Sequence, residues 1–173
     1  MNIHGIGTDI VNIKRIKDAI NKNKNFKKRI FTSFEINACE KRVNKIMKIF
    51  GVGADIVKIK RIKKSLKKKA LVKRLFNKEE IFKCSKIKNS ANCFAKRFAA
   101  KEAFSKALGT GISKGIKFNE IVVSNRRNGK PVIKLINDTK KKVDKKFKKR
   151  KFNISISLAD ADDYAVAFVT ISK

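Results

Sequence analysis

The amino-acid sequence predicts an α+β fold in which antiparallel strands accompany one long central helix. The stretch from Arg97 to Gly111 is rich in the strong helix formers Ala, Lys, Glu and Leu and contains no proline. The segments 120–124 and 132–136 are short strand-like runs separated by a polar turn, which is the pattern of a β-hairpin. The segments 152–157 and 164–171 alternate apolar and polar residues, and they predict a closing antiparallel pair.

The N-terminal part of the chain is predicted to hold one strand followed by helices. Residues 2–7 are expected to form the strand, and isoleucines at helical spacing predict a helix over residues 9–21. The segment Thr32–Glu35 has a hydroxyl and a carboxylate three positions apart, which is the signature of a capping box and predicts a helix to about residue 49. A further helix is expected to open near Asn77.

The end of the central helix and one more helix complete the predicted elements. Gly109 and Gly111 readily take the left-handed backbone that closes a helix. The lysine-rich segment 138–151 places Val143 and Phe147 four positions apart, which predicts a solvated amphipathic helix with one apolar side.

One segment of the sequence occurs twice. Residues 51–63 repeat residues 5–17 at an offset of 46, and the similarity resumes further along both copies. Two copies are too few for a solenoid, which needs several units to bury a continuous core. We therefore predict a partial N-terminal copy in residues 1–50 and a complete domain in residues 51–173.

The composition is that of a globular and strongly basic protein. The 173 residues are 42% hydrophobic, which is enough for a packed core. Lys and Arg number 46 against 14 Asp and Glu, and the net charge of +32 predicts attraction to nucleic acids, acidic proteins or phosphorylated ligands. A coding sequence rich in A and T would also raise the lysine content, so charge alone does not identify the partner.

Neither membrane segments nor metal-binding cysteines are apparent. No apolar run approaches the ~20 residues that span a bilayer, and the first residues lack the pattern of a signal peptide, so we expect a cytoplasmic protein without a membrane partner. Cys39, Cys84 and Cys93 show no Cys-x-x-Cys spacing, and His4 is the one histidine of the chain. We therefore expect reduced, structurally ordinary thiols and no zinc site.

Four charged residues stand out by their context. Asp9 and Asp55 each end a Gly-x-Gly-x-Asp run, in which the glycines would let a ligand approach a carboxylate at the end of a strand. Glu102 is a lone carboxylate on a largely apolar helix, one turn before Lys106. Mg²⁺ takes one or two carboxylates and completes its shell with phosphate oxygens and water, so these residues would suit a magnesium–phosphate site. Alternatively, the aspartates would cap the following helices and Glu102 would pair with Lys106.

Four runs form a specific pattern along the chain: Gly-Ile-Gly-Thr-Asp-Ile-Val, Arg-Phe-Ala-Ala-Lys-Glu-Ala-Phe-Ser-Lys-Ala-Leu-Gly-Thr-Gly, Asn-Gly-Lys-Pro and Ile-Ser-Ile-Ser. In this order they resemble the holo-acyl-carrier-protein synthase family. The resemblance covers Gly51 to the C-terminus, and residues 3–50 a second time. It implies the fold of the 4′-phosphopantetheinyl transferases and transfer of 4′-phosphopantetheine from coenzyme A to a serine of apo acyl carrier protein, in support of fatty acid biosynthesis.

The resemblance implies a role for each of the four charged residues. Asp55, or alternatively Asp9, would hold Mg²⁺ together with Glu102. Glu102, directly or through a metal-bound water, would help to deprotonate the carrier serine. Lys106 would contact coenzyme A and stabilise or protonate the departing 3′,5′-ADP. Positioning and charge neutralisation are what phosphoryl transfer requires of a protein.

The resemblance also implies where substrates and subunits meet. Arg97, Gly109 and Pro131 fall where the family contacts coenzyme A. Arg61, or Arg15 in the first copy, matches the basic surface on which the family docks the acidic carrier protein. The family assembles as a trimer with active sites at subunit interfaces, so a homotrimer is expected.

Two departures from the family pattern leave alternatives open. Leu158 occupies the position of a usual histidine, which removes a donor near the coenzyme A phosphates. Asp55 lies 47 residues before Glu102 and Asp9 lies 93 before it. In the family, the separation between aspartate and glutamate is nearer the first value, which favours Asp55. The residues of the first copy, however, match the family motif more closely. An inactive family member and a basic RNA- or DNA-binding protein are the alternatives. Nucleic acid is not the expected partner, because that function would not explain the helix that carries Glu102.

Overall fold

The computed structural model describes residues 18, 21–22, 25–33, 35, 49–111 and 115–172. The chain divides into two compact units, Met1–Ile46 and Met47–Lys173. The fold predicted from the sequence, an α+β arrangement with a long helix and antiparallel strands, is confirmed in the second unit.

The first unit contains helix α1 (Phe26–Ile30) and the predicted capping box. The backbone N–H of Thr32 donates to Glu35 Oε2 at 2.8 Å, and the N–H of Glu35 donates to Thr32 Oγ1 at 3.2 Å. The prediction that this helix continues to residue 49 is wrong, because Ile49 already belongs to a strand. The strand predicted at residues 2–7 and most of the helix predicted at 9–21 lie outside the described residues.

The second unit carries the elements that form the candidate site. In chain order they are β1 (Ile49–Lys58), α2 (Ile59–Ser65), α3 (Lys69–Leu75), α4 (Lys78–Ser85), α5 (Ser90–Ala107), a 3₁₀ turn (Phe118–Glu120), β2 (Ile121–Asn125), β3 (Pro131–Leu135), α6 (Asn137–Lys146), β4 (Asn153–Ala161) and β5 (Tyr164–Ser172). None of the described helices is long and apolar enough to cross a membrane.

Three antiparallel strands form the main sheet in the order β1-β5-β4, and β2 and β3 form a separate hairpin. In the main sheet Asp55 of β1 lies opposite Ala167 of β5, and Ala167 lies opposite Leu158 of β4. These three side chains therefore share one face, because side chains directly opposite each other in a ladder point to the same side. This face packs against α5.

Two glycines let β1 approach α5 closely. A Cβ atom added to Gly51 would lie 1.9 Å from the backbone oxygen of Ala107, and one added to Gly53 would lie 2.0 Å from that of Ala103. The expectation that these glycines admit a ligand is therefore wrong for the second copy, since the space beside them is filled by helix backbone. Asp55 follows them on the same face, in the interior of β1 rather than at its end.

The central helix begins at Ser90 and its C-terminus is closed as predicted. Gly109 and Gly111 follow it with φ angles of 71° and 57°, in the left-handed region that favours glycine. Ala99, Ala100 and Ala103 are fully buried. The helix is therefore a core element packed by small residues, and not a surface helix with a single apolar stripe.

A buried ion pair that the sequence did not predict joins α4, α5 and the 3₁₀ turn. Lys101 Nζ donates to Glu80 Oε2 at 2.6 Å and to the backbone oxygens of Leu75 (2.9 Å) and Phe118 (2.8 Å). Glu80 also accepts from the backbone N–H of Asn77, as the second half of a capping box that opens α4 at the predicted residue. Burial lowers the pKa of Lys101 to about 8, although the charge of Glu80 opposes that shift.

Helix α6 is shorter than the segment predicted for it. It ends at Lys146, because Lys148 and Lys149 adopt φ angles of 50° and 56°, which a right-handed helix cannot contain. Val143 and Phe147 are buried, so the predicted apolar side of this helix is confirmed.

The expectation of free thiols is wrong for two of the three cysteines. Cys84 near the end of α4 and Cys93 near the start of α5 form a disulfide, with their Cα atoms 5.5 Å apart. The short connection between the two helices places the residues within the distance that a disulfide requires. Cys39 lies outside the described residues.

Candidate active site

The Asp55 carboxylate and the Lys106 ammonium group form the first part of the candidate site. Lys106 Nζ lies 2.7 Å from Asp55 Oδ1 and donates to the backbone oxygen of Ala54 at 3.0 Å. The Asp55 side chain is only 15% exposed, whereas that of Lys106 is 51% exposed. An ammonium group with this exposure can turn from the carboxylate toward an incoming anion.

Glu102 stands one turn before Lys106 on α5 and is influenced by the same group of charges. Partial burial raises the pKa of the Glu102 carboxyl above its usual value, and the negative charge of Asp55 raises it further. The positive charges of Lys106 and Arg61 oppose this increase in the pKa. The structure therefore brings Asp55, Glu102, Lys106 and the exposed Arg61 of α2 into one electrostatic neighbourhood.

The purely structural roles considered for these residues, helix capping by the aspartate and pairing of Glu102 with Lys106, do not hold in the second copy. Helix α2 begins after Lys58 with no side-chain cap, so Asp55 does not cap it. The ion pair of Lys106 in the structure is with Asp55, and not with Glu102 as the spacing had allowed. Strand and helix approach closely at Gly53, and this brings Lys106 nearer to the aspartate than its separation of 51 residues would indicate.

The donor set of Asp55 and Glu102 fits magnesium. No group of three or more His, Cys, Asp or Glu side chains in the described ranges is placed to hold a metal ion. Mg²⁺ does not need such a group, since one or two carboxylates with water and substrate phosphates complete its octahedron. Burial raises the pKa of Glu102, and the repulsion from Asp55 raises it further; a bound cation would relieve that repulsion.

A second cluster lies at the other end of α5. Arg97, Pro131 and Leu158 line a pocket of about 410 Å³, together with Asn125, Gly129 and other residues. Arg97 donates through Nη1 to the backbone oxygen of Cys93 (3.2 Å) and to its Sγ (2.9 Å), while its buried Nε has no hydrogen-bond partner in the described parts of the chain. Burial lowers the pKa of the Arg97 guanidinium.

The mouth of this pocket carries a polar network that the sequence reasoning missed. Asp160 of β4 accepts from Lys96 Nζ at 2.5 Å and from Asn92 Nδ2 at 3.0 Å. These hydrogen bonds lower the pKa of the Asp160 carboxyl. The acidic residues between the last two predicted strands, in residues 158–163, were the available signal, but α5 is far away in sequence.

The residues expected to contact coenzyme A thus fall into two groups on one chain. Arg97 and Pro131 share the pocket, whereas Lys106 and Gly109 lie at the C-terminal end of α5. Arg97 and Lys106 are nine positions apart on the helix, which corresponds to about 13 Å along the axis. Asp9 and Arg15 lie outside the described residues.

Comparisons with known proteins identify the family. A family model described as the 4′-phosphopantetheinyl transferase superfamily matches residues 51–169. A holo-[acyl-carrier-protein] synthase of Pelagibacter ubique is 46% identical over 102 residues, which cover 59% of this chain and 80% of that protein. One of Wolbachia pipientis is 43% identical over 170 residues, which cover 98% of this chain and 97% of that protein.

Solved structures agree with the sequence relatives. The crystal structure of holo-[acyl-carrier-protein] synthase from Neisseria meningitidis has a TM-score of 0.65 at 35% identity and covers 73% of this chain and all of that one (100%). The enzyme from Bacillus anthracis in complex with CoA (3′,5′-ADP) has a TM-score of 0.60 at 32% identity, covering 73% and 98%. This chain belongs to the 4′-phosphopantetheinyl transferase superfamily, and within it to the holo-[acyl-carrier-protein] synthases.

Proposed function

We propose that this protein transfers 4′-phosphopantetheine from coenzyme A to a serine hydroxyl of apo acyl carrier protein, with Mg²⁺ held by Asp55 and Glu102. The observation that carries the proposal is the meeting of these two carboxylates with Lys106 beside the β1–α5 contact. The relatives are named for this synthase activity, and the Bacillus anthracis and Helicobacter pylori structures are complexes with coenzyme A.

In this proposal Glu102 acts as the base for the carrier serine. Its partial burial and the neighbouring Asp55 hold its pKa above that of an ordinary glutamate, which makes it a better proton acceptor once ionised. The serine oxygen forms a bond to the phosphorus that carries the pantetheine arm, and the bond from that phosphorus to the bridging oxygen of the pyrophosphate breaks. When bound, Mg²⁺ supplies charge neutralisation at the phosphate oxygens.

Lys106 would stabilise the departing 3′,5′-ADP. Its side chain is half exposed, and its ammonium group contacts the Asp55 carboxylate. From there the ammonium group can turn to the oxygen that gains charge as the bond breaks, and it stabilises that oxygen or gives it a proton. The exposed Arg61, close enough to influence Glu102, would hold the acidic carrier protein with its serine at this site.

We further propose that the protein works as a homotrimer. The outer face of the main sheet exposes Val52, Ile56, Val166 and Phe168, and a contiguous apolar face of this kind is typical of a surface that another subunit covers. The separation of Arg97 and Pro131 from Lys106 and Gly109 on one chain supports the same assembly, since a neighbouring copy could supply the missing half of each site.

Residues 51–173 are proposed as the catalytic domain and residues 1–50 as a partial copy of its first segment. We assign the metal to Asp55, because its carboxylate lies against Lys106 of α5 and its charge acts on Glu102. We place the reaction in the cytoplasm, in support of fatty acid biosynthesis.

The direct test is incorporation of labelled phosphopantetheine into apo acyl carrier protein, with and without Mg²⁺. We expect Mg²⁺-dependent transfer, loss of transfer in Asp55→Ala and retention in the matched variant Asp9→Ala. No transfer by the folded wild-type protein at saturating coenzyme A would identify an inactive family member. Loss only in Asp9→Ala would assign the metal site to the first copy.

A further inference from the structure

A wide basic groove is lined by residues that belong to neither cluster of the candidate site. It has a volume of about 1370 Å³ and runs between strand β3, helix α6 and the start of β4. Nine of its sixteen lining residues are Lys or Arg, and one is acidic. In the whole chain 46 of 173 residues are basic, so the basic fraction in the groove is about twice as high. A uniform excess of lysine from coding bias would not concentrate in one groove.

Most of this positive charge is not neutralised. The one acidic residue of the groove, Asp144, is paired with Lys140. Among the residues that the structure describes, no carboxylate pairs with Lys145, Lys148 or Lys149. Like charges crowded in this way repel one another, and a bound polyanion would relieve the repulsion.

The turn after α6 holds part of this charge in a fixed arrangement. Lys148 and Lys149 are consecutive non-glycine residues with left-handed φ angles of 50° and 56°, a conformation that side chains disfavour. Backbone hydrogen bonds maintain it, from Lys148 N–H to the oxygen of Lys145 (2.9 Å) and from Lys149 N–H to that of Asp144 (2.7 Å). The lysines are therefore presented by an ordered turn at the edge of the groove.

The size and chemistry of the groove select the class of ligand. Pockets for small molecules usually have volumes of about 300–1,000 Å³, so this groove suits a segment of a polymer better than a free phosphate. Lysine is depleted in the cores of protein–protein interfaces, whereas it binds phosphate as a point charge. The groove has one aromatic lining residue, Phe152, and one face of its ring is stacked on Phe147, so the groove offers little aromatic surface for bases.

We propose that this groove binds the sugar–phosphate backbone of a nucleic acid without reading its base sequence. This differs from the expectation that nucleic acid is not a partner, which rested on the helix that carries Glu102 and considered no particular surface of the protein. The groove shares no lining residue with the pocket around Arg97 and none with the Asp55–Glu102 cluster. The inference is therefore independent of the proposed transfer reaction.

The test compares two triple variants that lose the same charge. Lys148, Lys149 and Lys151 line the groove, whereas Lys69, Lys73 and Lys78 are exposed on or beside α3 and α4 and do not line it. Each set is changed to Gln in the full-length protein, and thermal melts confirm that both variants fold. Binding of a fluorescent single-stranded RNA of about 16 nucleotides, the upper end of common site sizes, is measured from about 50 to 200 mM salt.

The proposal predicts that wild-type affinity falls steeply with salt. The groove variant should show a plot of log K against log salt that is shallower by about 2, since each lost contact to single-stranded phosphate removes about 0.7. The α3–α4 variant should change that slope by less than half as much. Equal effects of the two variants, or wild-type binding that does not depend on salt, would overturn the proposal.

A second readout separates nucleic acid from an acidic protein. The groove variant should keep the wild-type KM for apo acyl carrier protein. A raised KM with unchanged RNA binding would instead assign the groove to protein docking and refute the proposal. RNA binding is measured without coenzyme A or carrier protein, so a failure of the proposed transfer reaction would leave this result unaffected.

Discussion

Replacing Lys101 by methionine tests whether the buried ion pair between α4 and α5 has a structural role. Lys101 and Glu80 have side chains that are 0% and 1% exposed, and all three donors of the ammonium group are used. Methionine fills a similar volume but donates nothing. The carboxylate of Glu80 would then keep only the backbone N–H groups that donate to it. The backbone oxygens of Leu75 and Phe118 would lose the hydrogen bond that Lys101 donates.

We expect Lys101→Met to lower the free energy of unfolding by about 3–5 kcal/mol, the usual cost of removing one partner of a buried pair. That is a large part of the ~5–15 kcal/mol that stabilises a typical domain. The double variant Lys101→Met with Glu80→Gln should be more stable than Lys101→Met alone, because no uncompensated charge remains.

Urea denaturation followed by far-UV circular dichroism measures these differences, since the chain contains no Trp and only one Tyr. Lys69→Met, at an exposed position of α3, is the matched control and should change the free energy by less than about 0.5 kcal/mol. A loss below about 1 kcal/mol for Lys101→Met, or a double variant less stable than that single one, would refute the reasoning.

Three further outcomes are expected. Gly53→Ala should destabilise the fold by about 1–3 kcal/mol or more in urea denaturation, because its Cβ would meet the backbone oxygen of Ala103 at 2.0 Å; wild-type stability would contradict the close contact. Without Mg²⁺, Glu102→Gln should be more stable than wild type near pH 7. The raised pKa of Glu102 means that its ionisation opposes folding, so the gain should shrink as the pH falls through that pKa and vanish below about pH 4; a gain that persists there would argue against this cause. Cys93→Ser should lose about 2–3 kcal/mol relative to the oxidised wild type and much less relative to the reduced protein; equal losses in both would indicate a packing effect.

Local patterns in the sequence predicted α5, the β2–β3 hairpin, the β4–β5 pair and the start of α4, whereas α2 and α3 were not named in advance. The capping boxes at Thr32 and Asn77, the terminal glycines of α5 and the alternation of β5 are each encoded within a few residues. The predicted elements failed where backbone conformation departed from local propensity. Lys148 and Lys149 are good helix formers, yet their left-handed conformation ends α6 early.

Contacts between distant segments were harder to predict. The pairing of Asp55 with α5 was anticipated from motif resemblance. The close approach of helix backbone to Gly51 and Gly53 was not, because a Gly-x-Gly run does not indicate whether a ligand or a helix fills the space beside it. The pairing of Lys101 with Glu80 joins residues 21 apart, and no local spacing rule predicts such a contact. The disulfide required the turn between α4 and α5 to be known.

The most direct test of the central proposal is complementation between two inactive variants. Arg97→Gln removes a residue of the pocket beside the first half of α5, and Glu102→Gln removes the proposed base five residues further along the helix. Each variant alone should transfer almost no phosphopantetheine to apo acyl carrier protein. If every site takes its two halves from neighbouring copies, equal amounts of the two chains, unfolded and refolded together, should recover about a quarter of wild-type activity by random assembly. No recovery, with wild-type protein regaining activity through the same refolding, would contradict an active site shared between subunits.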